Sequence, residues 1–169
     1  MKIALSWIAE FVDITETPDA LRVILDDLGL VVEGTEFVGE GLDKVVVARI
    51  DEIRAIDGAD RVRLVVVDAA DGPLEIVCGA TNISVGDHVP LAPIGAVLPG
   101  GFEIAKRSMR GVTSNGMLCS ATELGLGDDH RGLMLLDNLI DPVVGMGLLE
   151  ALAIIPDVVF DITVEGNRP

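Results

Sequence analysis

The stretch SNGMLCSATELGL, residues 114–126, holds a turn, a strand end and a helix cap within thirteen residues. Ser114-Asn115-Gly116 is a turn signal, and Met117-Leu118-Cys119 is an apolar triplet suited to a buried strand end. Ser120-Ala121-Thr122-Glu123 has the spacing of a capping box, in which the Ser hydroxyl and the Glu carboxylate each accept from the other residue's backbone N–H. Gly125 is placed to end that helix after about one turn. So short a helix is not stable alone. The stretch therefore predicts a strand that terminates and a turn that folds over one end of a larger β structure.

The residues upstream supply that structure. Val45–Ile50 is rich in β-branched residues and strongly β-prone. Val62–Asp68, Leu74–Cys78, His88–Leu91 and Phe102–Ala105 follow as short strands, with Leu133–Leu136 as a late one. Turn signals separate them at Asp57-Gly58, Asp71-Gly72-Pro73, Val85-Gly86-Asp87 and Leu98-Pro99-Gly100-Gly101. About five short strands at this spacing predict a small β-barrel.

The ends of the chain have a different texture. Ser6–Val12 is suited to a short helix. Thr17 is a natural N-cap, Pro18 fits the first turn, and Leu21, Ile24, Leu25 and Leu28 share one face before Gly29. Leu30–Glu33 and Val158–Val164 read as strands, and Pro142–Leu152 as a helix despite Gly145 and Gly147. Gly39-Glu40-Gly41 marks a boundary. The expected class is α+β: residues 1–41 and 152–169 form a split α+β domain, the second part cut short, around a β-barrel at 43–151.

Half of the 169 residues are apolar but only 3% are aromatic, so the core must be aliphatic. No apolar run reaches the roughly 18 residues of a membrane span, and the N-terminus is a poor signal peptide. Cys78 and Cys119 are the only cysteines, which is no disulfide framework and fits a reducing cytoplasm. The net charge of −16 opposes nucleic-acid binding by the chain as a whole. The bases are unevenly placed, however: 9 of the 12 lie within 43–151. Arg49, Arg54, Arg61 and Arg63 form one group, and Lys106, Arg107 and Arg110 another. Each is either a local binding patch or a solvated surface that relieves acidic self-repulsion.

These stretches together resemble the N-terminal region of the β subunit of bacterial phenylalanine–tRNA ligases. The resemblance is carried by MKIALSWIAEFVDI at the start, Val77-Cys78-Gly79-Ala80-Thr81-Asn82, Gly95–Gly101, Arg110-Gly111-Val112 leading into SNGMLCS, Glu123-Leu124-Gly125-Leu126, and the terminal Asn167-Arg168-Pro169. It implies that the middle segment is an oligonucleotide-binding (OB-fold) barrel of the tRNA-binding type, inserted in the split α+β domain. It further implies a non-catalytic part of an enzyme that joins phenylalanine to tRNA with ATP and Mg²⁺. The partner would be a catalytic α subunit, in a heterotetramer of two α and two β chains. A chain ending at Asn-Arg-Pro is then expected to continue in its parent protein. One departure is that Asp57-Gly58 stands where the family often has His-Pro, which puts any role of that pair in placing RNA in doubt here.

The candidate tRNA-binding residues are Lys106, Arg107, Arg110, Ser114, Asn115, Asn82 and Arg61. The cations suit phosphate. Ser114 and Asn115 offer polar side chains to phosphate or a base edge, or else simply build the turn. Phe102 is the one aromatic residue in the barrel segment that could stack a base, so contact with folded tRNA by shape and backbone is expected. Cys78, Cys119, His88 and His130 lack the short spacings of a metal set. No catalytic residue, metal or cofactor is expected in this chain, and no membrane. The rival to a tRNA contact is a structural or protein-interaction scaffold; a free-standing tRNA-binding protein would have neither the N-terminal α+β unit nor Asn-Arg-Pro.

Overall fold

The computed structural model describes residues 1–109 and 111–164. Arg110 and the Asn167-Arg168-Pro169 stretch lie outside the described residues. In chain order the elements are β1 (Lys2–Ala4), α1 (Leu5–Ala9), α2 (Pro18–Asp27), β2 (Leu30–Val38), β3 (Val46–Ile56), β4 (Ala59–Asp68), β5 (Pro73–Cys78) and β6 (His88–Pro93). They continue with β7 (Val97–Leu98), β8 (Phe102–Glu103), β9 (Arg107–Met109), β10 (Val112–Ser114), β11 (Gly116–Leu118), α3 (Leu148–Ala151) and β12 (Asp157–Val164). This is a mixed α+β fold, mostly sheet. It divides into two compact units, Met1–Gly39 with Ile155–Pro169, and Glu40–Ile154.

In the first unit β12 pairs antiparallel with both β1 and β2, giving the sheet order β1-β12-β2. Helix α2 starts where the sequence predicts: Thr17 Oγ1 accepts from the Ala20 N–H at 3.3 Å, and Pro18 fills the first turn. Its Leu21 and Leu25 pack on a small core of Val32, Phe160 and Ile162. β2 is longer than the four residues read from sequence because β12 pairs with it as far as Val38. No helix among the described residues is long and apolar enough to cross a membrane.

The second unit is built on a five-stranded sheet in the order β11-β6-β3-β4-β5. Side chains alternate across a strand, and the core follows that period. Ala48 and Ile50 of β3, Val65 and Val67 of β4, Ile76 and Cys78 of β5, Val89 and Leu91 of β6, and Leu118 of β11 share one buried cluster. Val45 and Val47 belong instead to a second cluster with Leu98, Ile104, Cys119, Leu124 and Leu148, which covers the other face. The sheet curls far enough that its edge strands approach each other. The Asn115 N–H donates to the Glu75 carbonyl at 2.9 Å, and the Val77 N–H donates to Ser114 Oγ at 3.0 Å. These are bonds at one corner; among the described residues no ladder of strand pairing joins β11 to β5.

Gly116 permits the corner. Its φ is 152°, and a Cβ there would stand 2.8 Å from the Ala92 carbonyl oxygen and 3.3 Å from Ile76 Cδ1. Four residues on, at Ser120, the capping box forms as a turn of the backbone and not as a full helix. Ser120 N–H and Oγ–H donate to Glu123 Oε2 at 2.7 and 2.8 Å, and the Glu123 N–H donates back to Ser120 Oγ at 3.3 Å. Gly125, at φ 65°, ends it.

One expected element is absent and another is shortened, for one reason. Leu133–Leu136 is no strand: Met134 N–H donates to Cys119 O and Leu136 N–H to His88 O, so consecutive bonds go to different partners and no ladder builds. Pro142–Leu152 is helical only at Leu148–Ala151. Residues 145–148 instead bond alongside Val45 and Val47, with Gly145 N–H donating to Val47 O at 2.8 Å and Leu148 N–H to Val45 O at 2.8 Å. Tertiary backbone pairing has overridden local preference in both. Phe102–Ala105 shortens to Phe102–Glu103, and β9 and β10 appear where only a basic cluster was read.

The 133–140 segment is also fastened by Asp137. The His88 N–H donates to Oδ2 at 2.7 Å, and His88 Nδ1 lies 2.7 Å from Oδ1. Burial pushes the Asp137 carboxyl up, but the hydrogen bonds and charge of His88 outweigh it, and the net shift is downward. A depressed carboxyl stabilises the fold above its unfolded value of about 3.9 and loses that contribution as pH falls through the folded value. Asp137→Asn is therefore expected to melt below the wild type at pH 7, with the gap narrowing only once pH falls below the unfolded value of about 3.9. A gap independent of pH, measured by thermal melts in matched buffers, would contradict this role for the ionised carboxylate.

Candidate nucleic-acid interface

The alternation that fills the interior with Val65, Val67, Ile76 and Cys78 turns Val62 and Val77 to the outer face of β4 and β5. Beside that face, at the β5 edge, lies the segment between β6 and β11, ordered as two small hairpins. β7 pairs with β8, Leu98 opposite Phe102; β9 pairs with β10, Arg107 opposite Ser114. Between the face and these hairpins is a groove of about 310 Å³. Val62, Val77, Ile104 and Met117 line its floor and walls, with Phe102, Arg107 and Met109 at its rim. Phe102 is 46% exposed and Met109 47%. The Arg107 guanidinium lies over the Phe102 ring, 5.7 Å from its centroid, within cation–π range.

Ion pairing sorts the basic residues. Arg49 is held by Asp51 at 2.8 Å and Asp68 at 3.5 Å, Arg54 by Glu52 and Glu75, and Arg131 by Asp129. Arg63 donates to the Ala80 carbonyl, and Lys44 to Gly95 O at 3.0 Å. Lys106, Arg107 and Arg61 make no ion pair among the described residues, and all three are exposed. The first basic group read from sequence thus breaks up, since two of its four members are neutralised by neighbours on the sheet. Lys106 and Arg107 stand next to the groove.

The polar candidates are differently placed. Ser114 is buried, and its hydroxyl is committed: it accepts from Val77 N–H and donates to the Gly116 carbonyl, both at 3.0 Å. Asn115 gives its N–H to Glu75. Asn82 lies elsewhere in the unit, clamping the backbone of Leu133: Nδ2 donates to Leu133 O at 2.9 Å and Oδ1 accepts from Leu133 N–H at 3.0 Å. That clamp borders a second cleft, lined by Cys78–Ala80, Ser120, Glu123 and Arg131, where two of the stretches quoted from sequence meet. Met109, Val62 and Val77 were missed as groove residues. The outward phase of Val62 and Val77 was legible in principle, but nothing local said which part of the chain would come beside them.

Neither cysteine is suited to reaction. Both are buried, and burial pushes the Cys119 thiol up to about 12. Among the described residues no group of three or more His, Cys, Asp or Glu side chains gathers where a metal could be held.

A family model described as "Putative tRNA binding domain" matches residues 45–144. The chain belongs to the tRNA-binding domain family. Every part of the groove lies inside the matched residues. The whole chain is also similar to proteins named phenylalanine–tRNA ligase β subunit. The relative from Syntrophotalea carbinolica is 42% identical over 169 residues, and that from Anaeromyxobacter dehalogenans 45% over 170. The one from Syntrophus aciditrophicus is 44% identical over 99% of this chain. The chain spans about a fifth of the length of these relatives, 20–21%. Among solved structures, a Naegleria gruberi RNA ligase with ATP and Mn superposes at a TM-score of 0.46 and 17% identity, over 73% of this chain and 35% of that one, too low a likeness to argue from.

Proposed function

We propose that this chain is the N-terminal part of a phenylalanine–tRNA ligase β subunit, and that Glu40–Ile154 is an OB-type barrel giving the enzyme an accessory contact with tRNA. The observation that carries the tRNA contact is the pair of unpaired cations, Lys106 and Arg107, beside an open groove on the outer face of β4 and β5, within the tRNA-binding family match. A face of the sheet with its neighbouring loops is where such barrels take oligonucleotides. The corner bonds of Asn115 and Ser114 to β5 support barrel curvature. The Met1–Gly39 and Ile155–Pro169 unit serves as subunit scaffold. Attachment of phenylalanine with ATP and Mg²⁺ belongs to the holoenzyme, in the cytoplasm, with the catalytic centre in an α subunit and two copies of each chain assembled. This chain's part is to hold tRNA.

The scaffold reading has its own support. The net charge of −16 repels phosphate, and Ser114 and Asn82 are committed to internal hydrogen bonds. Titrating tRNA against the chain from low to physiological salt separates the two. Each neutralised phosphate contributes a slope of roughly 0.7–0.9 in log K against log salt, so three contacts give about −2 to −3. Substituting Lys106, Arg107 and Arg110 together by Ala is expected to weaken binding and flatten the slope. Wild-type binding with an unchanged slope in the variant would move the contact away from these residues. No binding at low salt would favour the scaffold.

A further inference from the structure

The groove beside the cations is apolar, and phosphate has no use for an apolar groove. Most of its lining is apolar, Val62, Val77, Ile104, Met109 and Met117, with the Phe102 ring at the rim and a guanidinium over it; Glu103, Ser108 and Ser114 are its polar part, so one carboxylate borders the groove. The rim is exposed, since neither Phe102 nor Met109 is more than about half covered. At about 310 Å³ the groove sits at the small end of ligand pockets, which run to roughly 300–1,000 Å³. It suits one planar group rather than a helix or a stacked run. Lys106 and Arg107, which have no carboxylate partner among the described residues, select for an anion attached to that planar group. An apolar slot with a ring and a guanidinium on its lip, flanked by free cations, is the chemistry that holds an unstacked nucleobase and its phosphate.

We propose that this groove is a base subsite: one unpaired RNA base, from a loop or a single-stranded end, enters it and stacks against Phe102 and the Arg107 guanidinium, while Lys106 meets the adjoining phosphate. The proposal rests on the reading of this unit as an RNA-binding barrel. It goes further than a contact by shape and backbone, because it requires the RNA to splay a base.

The test uses the 169-residue chain and a short single-stranded oligoribonucleotide carrying 2-aminopurine, with a matched oligonucleotide that is abasic at that position. Wild type is expected to bind the base-bearing RNA about tenfold more tightly than the abasic one, with a change in 2-aminopurine fluorescence. Phe102→Ala should abolish that preference without altering the salt slope, and Phe102→Trp should keep it. Arg107→Ala should lose the preference and also flatten the slope by about one contact. Phe102 is at the surface, and an unchanged circular dichroism melt confirms that the variant is folded. Salt-dependent binding of tRNA with no preference for the base, and no effect of Phe102→Ala, would overturn the subsite and leave the tRNA contact standing. Absence of any RNA binding at low salt would overturn both.

Discussion

Gly116→Ala is expected to destabilise the Glu40–Ile154 unit by about 3 kcal/mol or more, lowering its melting temperature by about 10 °C or more. Two costs add. The backbone sits at φ 152°, where side chains with a Cβ are strained. The new methyl would also stand 2.8 Å from the Ala92 carbonyl oxygen, 3.2 Å from Leu91 Cδ1 and 3.3 Å from Ile76 Cδ1. The first is backbone of β6 and cannot yield without moving the sheet, while the other two are side-chain ends that must each give by a few tenths of an ångström. Gly100→Ala is the control. Gly100 has φ 82° and nothing within 4 Å of a Cβ, so only the left-handed backbone penalty applies, about 1–2 kcal/mol. Differential scanning calorimetry of both variants checks the difference. Equal effects would mean that the corner at Gly116 is looser than this geometry requires. Because Ser114 and Asn115 fasten the same corner to β5, the variant is also expected to disturb the groove.

Phe160→Ala is expected to unfold the Met1–Gly39 and Ile155–Pro169 unit while the other stays folded. Phe160 is fully buried at the centre of β12, and among the described residues its cluster contains two other buried residues, Val32 and Ile162. Removing a buried Phe costs about 3–5 kcal/mol. A small unit with a core of this size has little stability in reserve. Amide hydrogen exchange read by segment is the measurement. Protection should be lost in β1, β2 and β12 and retained in β3, β4, β5 and β6. Loss of protection across both units together would mean that they fold as one cooperative body, and the two-unit division would have no thermodynamic meaning.

Local chemistry in the sequence reached far. The Thr17-Pro18 start of α2, the strands at β3 to β6, and the reciprocal Ser120–Glu123 cap all depend on residues within one turn or one strand. Propensity, alternation and capping act at that range, so they could be read without coordinates. The readings that failed did so where distant backbone supplied the hydrogen bonds: Leu133–Leu136 divides its bonds between Cys119 and His88, and residues 145–147 pair beside Val45 and Val47 instead of coiling. A helix pattern interrupted by Gly145 and Gly147 is weak, and a long-range partner decided the outcome.

The candidate site was legible in part for the same reason. Sequence marked Lys106, Arg107 and Phe102 as a basic cluster near one aromatic. Arg49 and Arg54 meet their nearest carboxylates, Asp51 and Glu52, two residues away on β3, and register across strands adds Asp68 and Glu75 only once β3, β4 and β5 lie side by side. By itself the sequence determined the α+β class, the aliphatic core, most strands and the cap after β11, since these follow from side-chain size, branching and near-neighbour hydrogen bonding. Only the tertiary structure decided that β10 comes to the edge of β5, that Ser114 and Asn82 turn inward to hold backbone, and that Arg107 and Phe102 meet at the lip of a groove. The Ser114 and Asn82 bonds join residues 37 and 51 positions apart, and the Arg107–Phe102 contact, though local, gains its groove only where this segment meets β5.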